Sequence, residues 1–483
     1  MSKKIGRRDF IGTMAALGAA GVTGINVFSA GCGQAAPPAE TRSAGLPARG
    51  EFIVRDAYVM TMDPALGDLS TGHVHVKNGE IVAVGSDVQA PGAAVLDGRG
   101  MIVLPGMVDT HWHMWNTLLR SFDGEKTANG YFPRTAAFGQ AMTPDDMYQS
   151  TRLAAAEALY SGITTVHDYC HNVQSRAHAE GGIRALREAG VRGRWSYGWP
   201  QGYPDTKLID LPALQGIHQD WATLSGEGLF SLGLGWRGMF RPSGPLPPEI
   251  YRREFDAARE MGIPLSVHVG SAESAKGQVE ALGKQKLLGP DVQLLHALSA
   301  TPSELKMVAD AGSIVSVSPR TEMRIGYGLP RLAEVLDAGI TTGISVDNLV
   351  LAGNADFFEL LNTVRNLEKG RSHDEFKISA RRMLELGTIE GARSLGIDKV
   401  TGSLKPGKRA DLILISTHRI NLGVFTDPAQ MIVEAAQPEN VDTVVADGRI
   451  LKRGGKLTAV SEDEILDGVS KSLDGLRKRV PNA

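Results

Sequence analysis

Between Met107 and about Gly396 the chain repeats one unit: a short apolar run, a turn, and an amphipathic stretch at helical spacing. No other feature constrains the fold as tightly. Strands that alternate with helices pair in parallel, and their helices cover both faces of the sheet. Eight β-like runs occur, at 107–111, 163–168, 191–197, 229–236, 263–269, 292–296, 313–317 and 341–346. Amphipathic stretches at 145–160, 183–189, 249–261, 302–311 and 329–338 lie between them, and a last one at 379–395 follows. Thr143-Pro144-Asp145-Asp146 has the chemistry of a helix start: a capping hydroxyl, Pro at the first position and acids in the first turn. Gly262, Gly312 and Gly339 each stand where a helix must end before a strand. Eight such units over about 290 residues predict an α/β fold of the (β/α)8 TIM-barrel type. A doubly wound open sheet is the competitor. The count of eight and the placement of polar residues favour the barrel.

The flanks have a different rhythm. Residues 51–104 carry short β-like runs with a tight-turn dipeptide, Asn78-Gly79. Similar runs return at 411–415 and 441–446, followed by Asp447-Gly448. The expectation is a small composite β-sandwich domain formed by both chain ends, 50–105 plus 400–460. The barrel then spans 106–399, and 461–483 is a C-terminal helix and tail. A length of 483 residues allows two or three domains, and 57 glycines suit many tight turns. The net charge of −3, with no basic stripe, argues against nucleic-acid binding.

The N-terminus reads as an address. Lys3, Lys4, Arg7 and Arg8 precede a mild Gly- and Ala-rich apolar run that is a poor membrane span. Gly6-Arg-Arg-Asp-Phe-Ile11 resembles a twin-arginine export signal, and Ser29-Ala-Gly-Cys32 resembles a lipoprotein cleavage box with Ser29 at an aliphatic position. The expected arrangement is a signal over 1–32 and a Pro-containing linker over 33–49. The protein would be exported to the periplasm, with Cys32 a candidate lipid anchor and the only membrane link. Two cysteines, Cys32 and Cys170, give no disulfide framework.

The chemistry gathers at strand ends. In a barrel of this kind the working residues lie at the C-terminal ends of the strands. The first run leads into His111-Trp112-His113, whose imidazoles point to one side of a strand. The fifth carries His268, the sixth ends in His296, and the eighth ends in Asp347. Four of the chain's 12 histidines and one aspartate thus converge on one mouth, a donor set suited to a divalent metal. His73 and His75 repeat the His-x-His spacing, but in a polar hairpin, and are read as structural.

Pro105-Gly-Met-Val-Asp-Thr-His-Trp-His113, taken with His268, His296 and Asp347, resembles the amidohydrolase superfamily of metal-dependent hydrolases. Ser318-Pro-Arg-Thr-Glu-Met-Arg-Ile-Gly-Tyr-Gly328 is similar to the segment after strand seven in its cytosine deaminase and triazine hydrolase branch. Gly402-Ser-Leu-Lys-Pro-Gly-Lys-Arg-Ala-Asp-Leu412 is similar to its C-terminal β segment. The resemblance implies that His111, His113, His268 and Asp347 hold a metal that activates water, with Asp347 as general base. His296 would hydrogen-bond the substrate or add a ligand. The two-metal form of the family needs a Lys or acid ending strand four; here that strand ends Gly233-Leu-Gly-Trp236, so one metal is expected, Zn by default and Fe or Mn as alternatives.

One position departs from the branch. A Glu is usual three residues after the strand-five histidine; here Ser271 stands there, and Glu273 is two residues further on. The expected reaction is therefore hydrolysis of a non-peptide carbon–nitrogen bond in a small, aromatic or cyclic molecule. Ring deamination and dehalogenation are the alternatives within the superfamily, and an exported barrel that binds a ligand without turnover is the alternative outside it. Trp115, Trp199, Trp236 and Arg237 are the candidate substrate-binding residues, with Arg120, His171 and Arg241 nearby. Cys170 beside His171 is not read as a nucleophile, since the metal site already supplies one. The expected partner is the small-molecule substrate, with self-association into a homo-oligomer left open.

Overall fold

The computed structural model describes residues 45–122, 124–241 and 244–481. The expected export signal, Cys32 and nearly all of the expected linker lie outside the described residues.

Eight strands form one parallel sheet: β1 (Met107–Trp112), β2 (Ile163–Cys170), β3 (Arg192–Tyr197), β4 (Phe230–Gly235), β5 (Leu265–Val269), β6 (Val292–His296), β7 (Ile314–Val317) and β8 (Thr342–Ile344). Each pairs with the next in sequence order. The ring closes between β8 and β1, which excludes the open doubly wound sheet. Asp109 is the staple at that seam. One carboxylate oxygen accepts from the Val346 N–H (2.8 Å) and the other from the His111 N–H (3.1 Å). Just past β8, the Asp347 N–H donates to the His111 carbonyl (3.0 Å), and the His113 N–H donates to the Asp347 carbonyl. Gly343 makes this closeness feasible: a Cβ there would lie 2.4 Å from the Thr110 side chain.

The barrel interior beneath the mouth is polar, and the groups just before His111 are hydrogen-bonded. His167 Nδ1–H and Gln293 Nε2–H both donate to the Thr110 carbonyl (3.0 Å each), and the Thr110 and Ser316 hydroxyls are hydrogen-bonded at 2.7 Å. Buried polar groups cost little only when paired in this way. The network holds the backbone immediately before His111.

Several helices follow the sequence reading closely. Pro144–Tyr160 begins with a capping box between Thr143 and Asp146, and Pro302–Asp310 with one between Thr301 and Glu304. The expected helix at 379–395 is corrected: it breaks into Ala380–Leu386 and Ile389–Ser394. The reason is long-range. The Gly387 carbonyl accepts from the Val108 N–H of β1 (2.9 Å), and Thr388 leaves helical geometry at φ −133°, ψ −93°. The expected helix at 329–338 shortens to Leu332–Asp337.

Both chain ends build a second, nine-stranded sheet. Met101–Pro105 pairs antiparallel with Leu412–Ser416 and so joins the two halves. Its own apolar core includes Phe52, Val54, Val74, Val76, Leu412 and Leu414. The turns at Asn78-Gly79 and Asp447-Gly448 carry positive φ at both residues, as two-residue hairpins of the I′ type require. This sheet is tied to the barrel by charge: Arg192, the first residue of β3, bonds Asp411 (2.6 Å) and Asp447 (3.0 Å). No helix among the described residues is long and apolar enough to cross a membrane.

Candidate metal centre

At the mouth the structure brings His111, His113, His268, His296 and Asp347 together. His111 Nε2 and His113 Nε2 each lie 3.3 Å from Asp347 Oδ1, and His113 Nε2 lies 3.2 Å from His268 Nε2. His296 stands a step back, with Nε2 4.0 Å from Asp347 Oδ2. Among the described residues, two ligand groups fall within metal-binding distance, His111–His113–His268 and His111–His296–Asp347; they share His111. Two of these residues hold backbone conformations that non-glycine residues rarely adopt: His296 at φ +74° and Asp347 at φ +65°. Such strain persists where the surroundings over-determine a side chain's position.

The donor set fits a cation. His111 is fully buried, and neither of its ring nitrogens has a hydrogen-bond partner. The Nε2 atoms of His113 and His268 face each other at 3.2 Å. Burial is the main cause holding His111, His113 and His268 well below the usual histidine range, so each presents a lone pair. For His296 burial also lowers the pKa. The hydrogen bond from its Nδ1–H to Glu322 (3.1 Å) and the charge of Asp347 outweigh that and leave it raised. The β4 strand, Phe230–Gly235, contributes neither a lysine nor an acid.

Around this centre the other expected residues divide. Trp115 and Trp199 are at the mouth wall. Trp115 Nε1–H donates to His171 Nδ1 (3.2 Å), and the Trp199 ring centre lies 6.2 Å from that of His171, with the Arg241 guanidinium over its face at 4.8 Å. Trp236 and Arg237 are corrected. Trp236 packs on Phe255 of helix Pro248–Glu260 and gives its N–H to the Tyr251 carbonyl (3.1 Å). Arg237 is buried in an ion pair with Glu254 and donates to the Pro204 carbonyl (3.2 Å). Its charge is fully used inside the fold, so it is no substrate anchor. Arg120 is likewise paired, with Glu157.

Glu273 does not replace the missing Glu. It is exposed and paired with Lys276, while Ser271 hydrogen-bonds the Tyr327 phenol. Cys170 is fully buried, and burial pushes its thiol well above the usual range, so it is no thiolate nucleophile. His73 accepts from the Asp56 N–H and His75 pairs with Glu51; neither joins a ligand group. Sequence reasoning missed Tyr131, Gln201 and Glu322. Tyr131 and Tyr327 both feel the charge of Asp347. Glu322 is fully buried with Oε2 unpartnered; its signal was present in the Ser318–Gly328 motif, but only as a family marker.

The model of the amidohydrolase family matches residues 102–451. The chain belongs to that family. This amidohydrolase is a metal-dependent hydrolase that acts on carbon–nitrogen bonds. It is 27% identical over 454 residues to a 5'-deoxyadenosine deaminase of Methanosarcina mazei, covering 89% of this chain and 99% of that one. The fold is shared with an adenosine deaminase from Xanthomonas campestris solved with bound zinc: TM-score 0.79, 20% identity, 89% of this chain and 100% of that one. It is also shared with an atrazine chlorohydrolase from Arthrobacter aurescens solved with zinc: TM-score 0.75, 22% identity, 87% of this chain and 100% of that one. With an enzyme family shown, the binding-only alternative is not retained.

Proposed function

We propose that this amidohydrolase uses one zinc ion to remove an amino group hydrolytically from a nitrogen heterocycle in a small molecule. The observation that carries the reading is the convergence of His111, His113, His268 and Asp347, with both His111 nitrogens buried and unpartnered. The named deaminases among the relatives support the choice of an amino-heterocycle. When bound, a divalent ion supplies Lewis acidity and lowers the pKa of water to about 7.

The chain's own residues supply the rest. Asp347 Oδ2, the oxygen turned toward His296, is the acceptor for the attacking water's proton and carries it to the leaving amine. His296, its Nδ1–H fixed on Glu322, offers Nε2 to the reacting ring atom. Trp199 and Tyr327 flank the mouth with flat surfaces suited to a ring.

Ser271 favours a second reading, hydrolysis of an amide or lactam, because that reaction needs no shuttle carboxylate at this position. A panel of amino-heterocycles, amides, lactams and chloro-heterocycles, assayed on zinc-reconstituted protein, separates the readings. Ammonia from amino-heterocycles supports deamination. Turnover confined to amides or lactams moves the assignment to the second reading, and chloride release moves it to dehalogenation.

The paired arginines at Arg7 and Arg8 further support a proposal of export to the periplasm. Replacing both with lysine is expected to leave the protein in the cytoplasm on fractionation; unchanged periplasmic delivery would remove the proposal.

A further inference from the structure

His113 does not end its hydrogen bonding at the Tyr169 carbonyl. Its Nδ1 lies 2.9 Å from that oxygen and 2.8 Å from His171 Nδ1, so two ring nitrogens face each other and one proton must lie between them. A third group decides which nitrogen carries it. Trp115 Nε1 lies 3.2 Å from the same His171 Nδ1, and an indole N–H can only donate. His171 Nδ1 is therefore a bare acceptor. The proton belongs to His113 Nδ1, shared between the Tyr169 carbonyl and His171. The opposite nitrogen of His113, Nε2, is left with its lone pair, and it is this atom that faces His268 and Asp347.

The hydrogen bonding runs on to the mouth. With Nδ1 bare, neutral His171 carries its proton on Nε2, 3.1 Å from the Gln201 side-chain amide. That proton needs an acceptor. Gln201 Oε1 is buried without a partner, and a half-turn of the amide places it against His171 Nε2–H. The ring nitrogens of His171 and His113 and the Trp115 indole N–H then have consistent roles.

We propose that His171 is a positioning residue for the metal centre. Clamped between Trp115 and Gln201 in its Nε2–H form, it fixes His113 as the Nδ1–H form and so keeps His113 Nε2 ready to bind the cation. The usual outer partner of a metal-bound histidine is a carboxylate or a carbonyl. Here a second imidazole shares that task with the Tyr169 carbonyl, and its own form is dictated from both sides. The inference rests on reading His113 as a metal ligand.

Two experiments test it. In metal-free protein with 15N-labelled histidine, His171 is expected to show a pyridine-type Nδ1 and a pyrrole-type Nε2, and His113 the reverse. A pyrrole-type Nδ1 at His171 overturns the proposal, and no variant has to fold for that result. In zinc competition against a chelating dye, His171→Phe keeps a ring but no acceptor. It is expected to bind zinc about 10–100-fold more weakly, whereas His171→Asn, whose Oδ1 accepts in place of Nδ1, stays within about threefold of the natural protein. Equal affinity for His171→Phe and the natural protein sinks the proposal while leaving the ligand reading intact. If His113→Ala instead binds zinc as tightly as the natural protein, the ligand reading itself fails.

Discussion

Asp347 has two duties that can be separated by one atom. Its backbone sits at φ +65° and closes the barrel seam, while its side chain faces the histidines. Asparagine tolerates that backbone region as aspartate does. With zinc in excess, so that the weakened ligand set is still filled, Asp347→Asn is thus expected to keep the fold and its thermal midpoint while kcat falls about 10²–10⁴-fold, the range for losing a general base. Steady-state kinetics beside a melting curve check this; a variant retaining a tenth or more of the natural kcat would remove Asp347 as proton carrier. Asp168 offers the contrasting case, a buried carboxyl group that belongs to neither ligand group. It accepts the Met114 N–H (3.2 Å), its other oxygen has no partner, and burial pushes its pKa up to about 7 from 3.8. The folded state therefore holds a proton that the unfolded chain releases between about pH 4 and pH 7. Stability falls as pH rises through that window, and the loss is complete above it. Asp168→Asn keeps the shape without the titration. Its stability relative to the natural protein is expected to improve from pH 4.5 to pH 8 by at most about 3 kcal/mol, since each tenfold difference in proton affinity between the folded and unfolded states is worth about 1.4 kcal/mol. Urea melts at the two pH values decide it, and an equal difference at both would show that Asp168 is not the titrating group.

At the level of elements, the second sheet holds to the barrel through a knot of charge. Asp447, nearly buried, receives Arg49 (2.6 Å), Arg192 (3.0 Å), Arg409 (2.7 Å) and Arg449 (2.8 Å). These arginines come from just before the strand Glu51–Met60 of the second sheet, from β3, and from both sides of Leu412–Ser416. Removing the acid leaves four guanidinium groups facing one another, Arg192 buried and the others partly so. Asp447→Ala is expected to cost about 3–5 kcal/mol, seen as a lowered denaturation midpoint; an unchanged midpoint would mean that the apolar contacts alone hold the domains. The strands themselves were legible in the sequence because each is a local pattern, and so were the capped helices beginning at Pro144 and Pro302. The break at Gly387–Thr388 was not, since its cause is a hydrogen bond to Val108 nearly 280 residues away. Arg237 and Trp236 failed as pocket residues for a related reason. Proximity to a strand end is visible in sequence, but the partner that uses up the side chain, Glu254 or Phe255, sits on the next helix and faces a direction the pattern does not encode. The His-x-His pair, His268 and Asp347 were legible because strand ends in a closed barrel must converge, whatever the loops do.

For the molecule as a whole, that convergence means that a cation held by these residues would contribute to the fold's stability. His111 lies in β1 and His113 just past its end, His268 lies on β5, and Asp347 follows β8 at the seam where the barrel closes, so a bound cation would join the start, the middle and the end of the barrel. A ligand that binds only the native state stabilises it by mass action, about 4 kcal/mol at a thousand times its Kd. The ligand atoms belong to segments more than 230 residues apart, and the unfolded chain cannot gather them at comparable cost. Stripping the metal with a chelator is therefore expected to lower Tm by several degrees and abolish turnover together, and added zinc restores both. His113→Ala should begin near the stripped protein's Tm and respond to neither chelator nor zinc. If the chelator removes activity but leaves Tm where it was, the barrel is held at its closing seam by Asp109 and the Asp347 backbone alone, and the cation contributes chemistry without contributing to the fold.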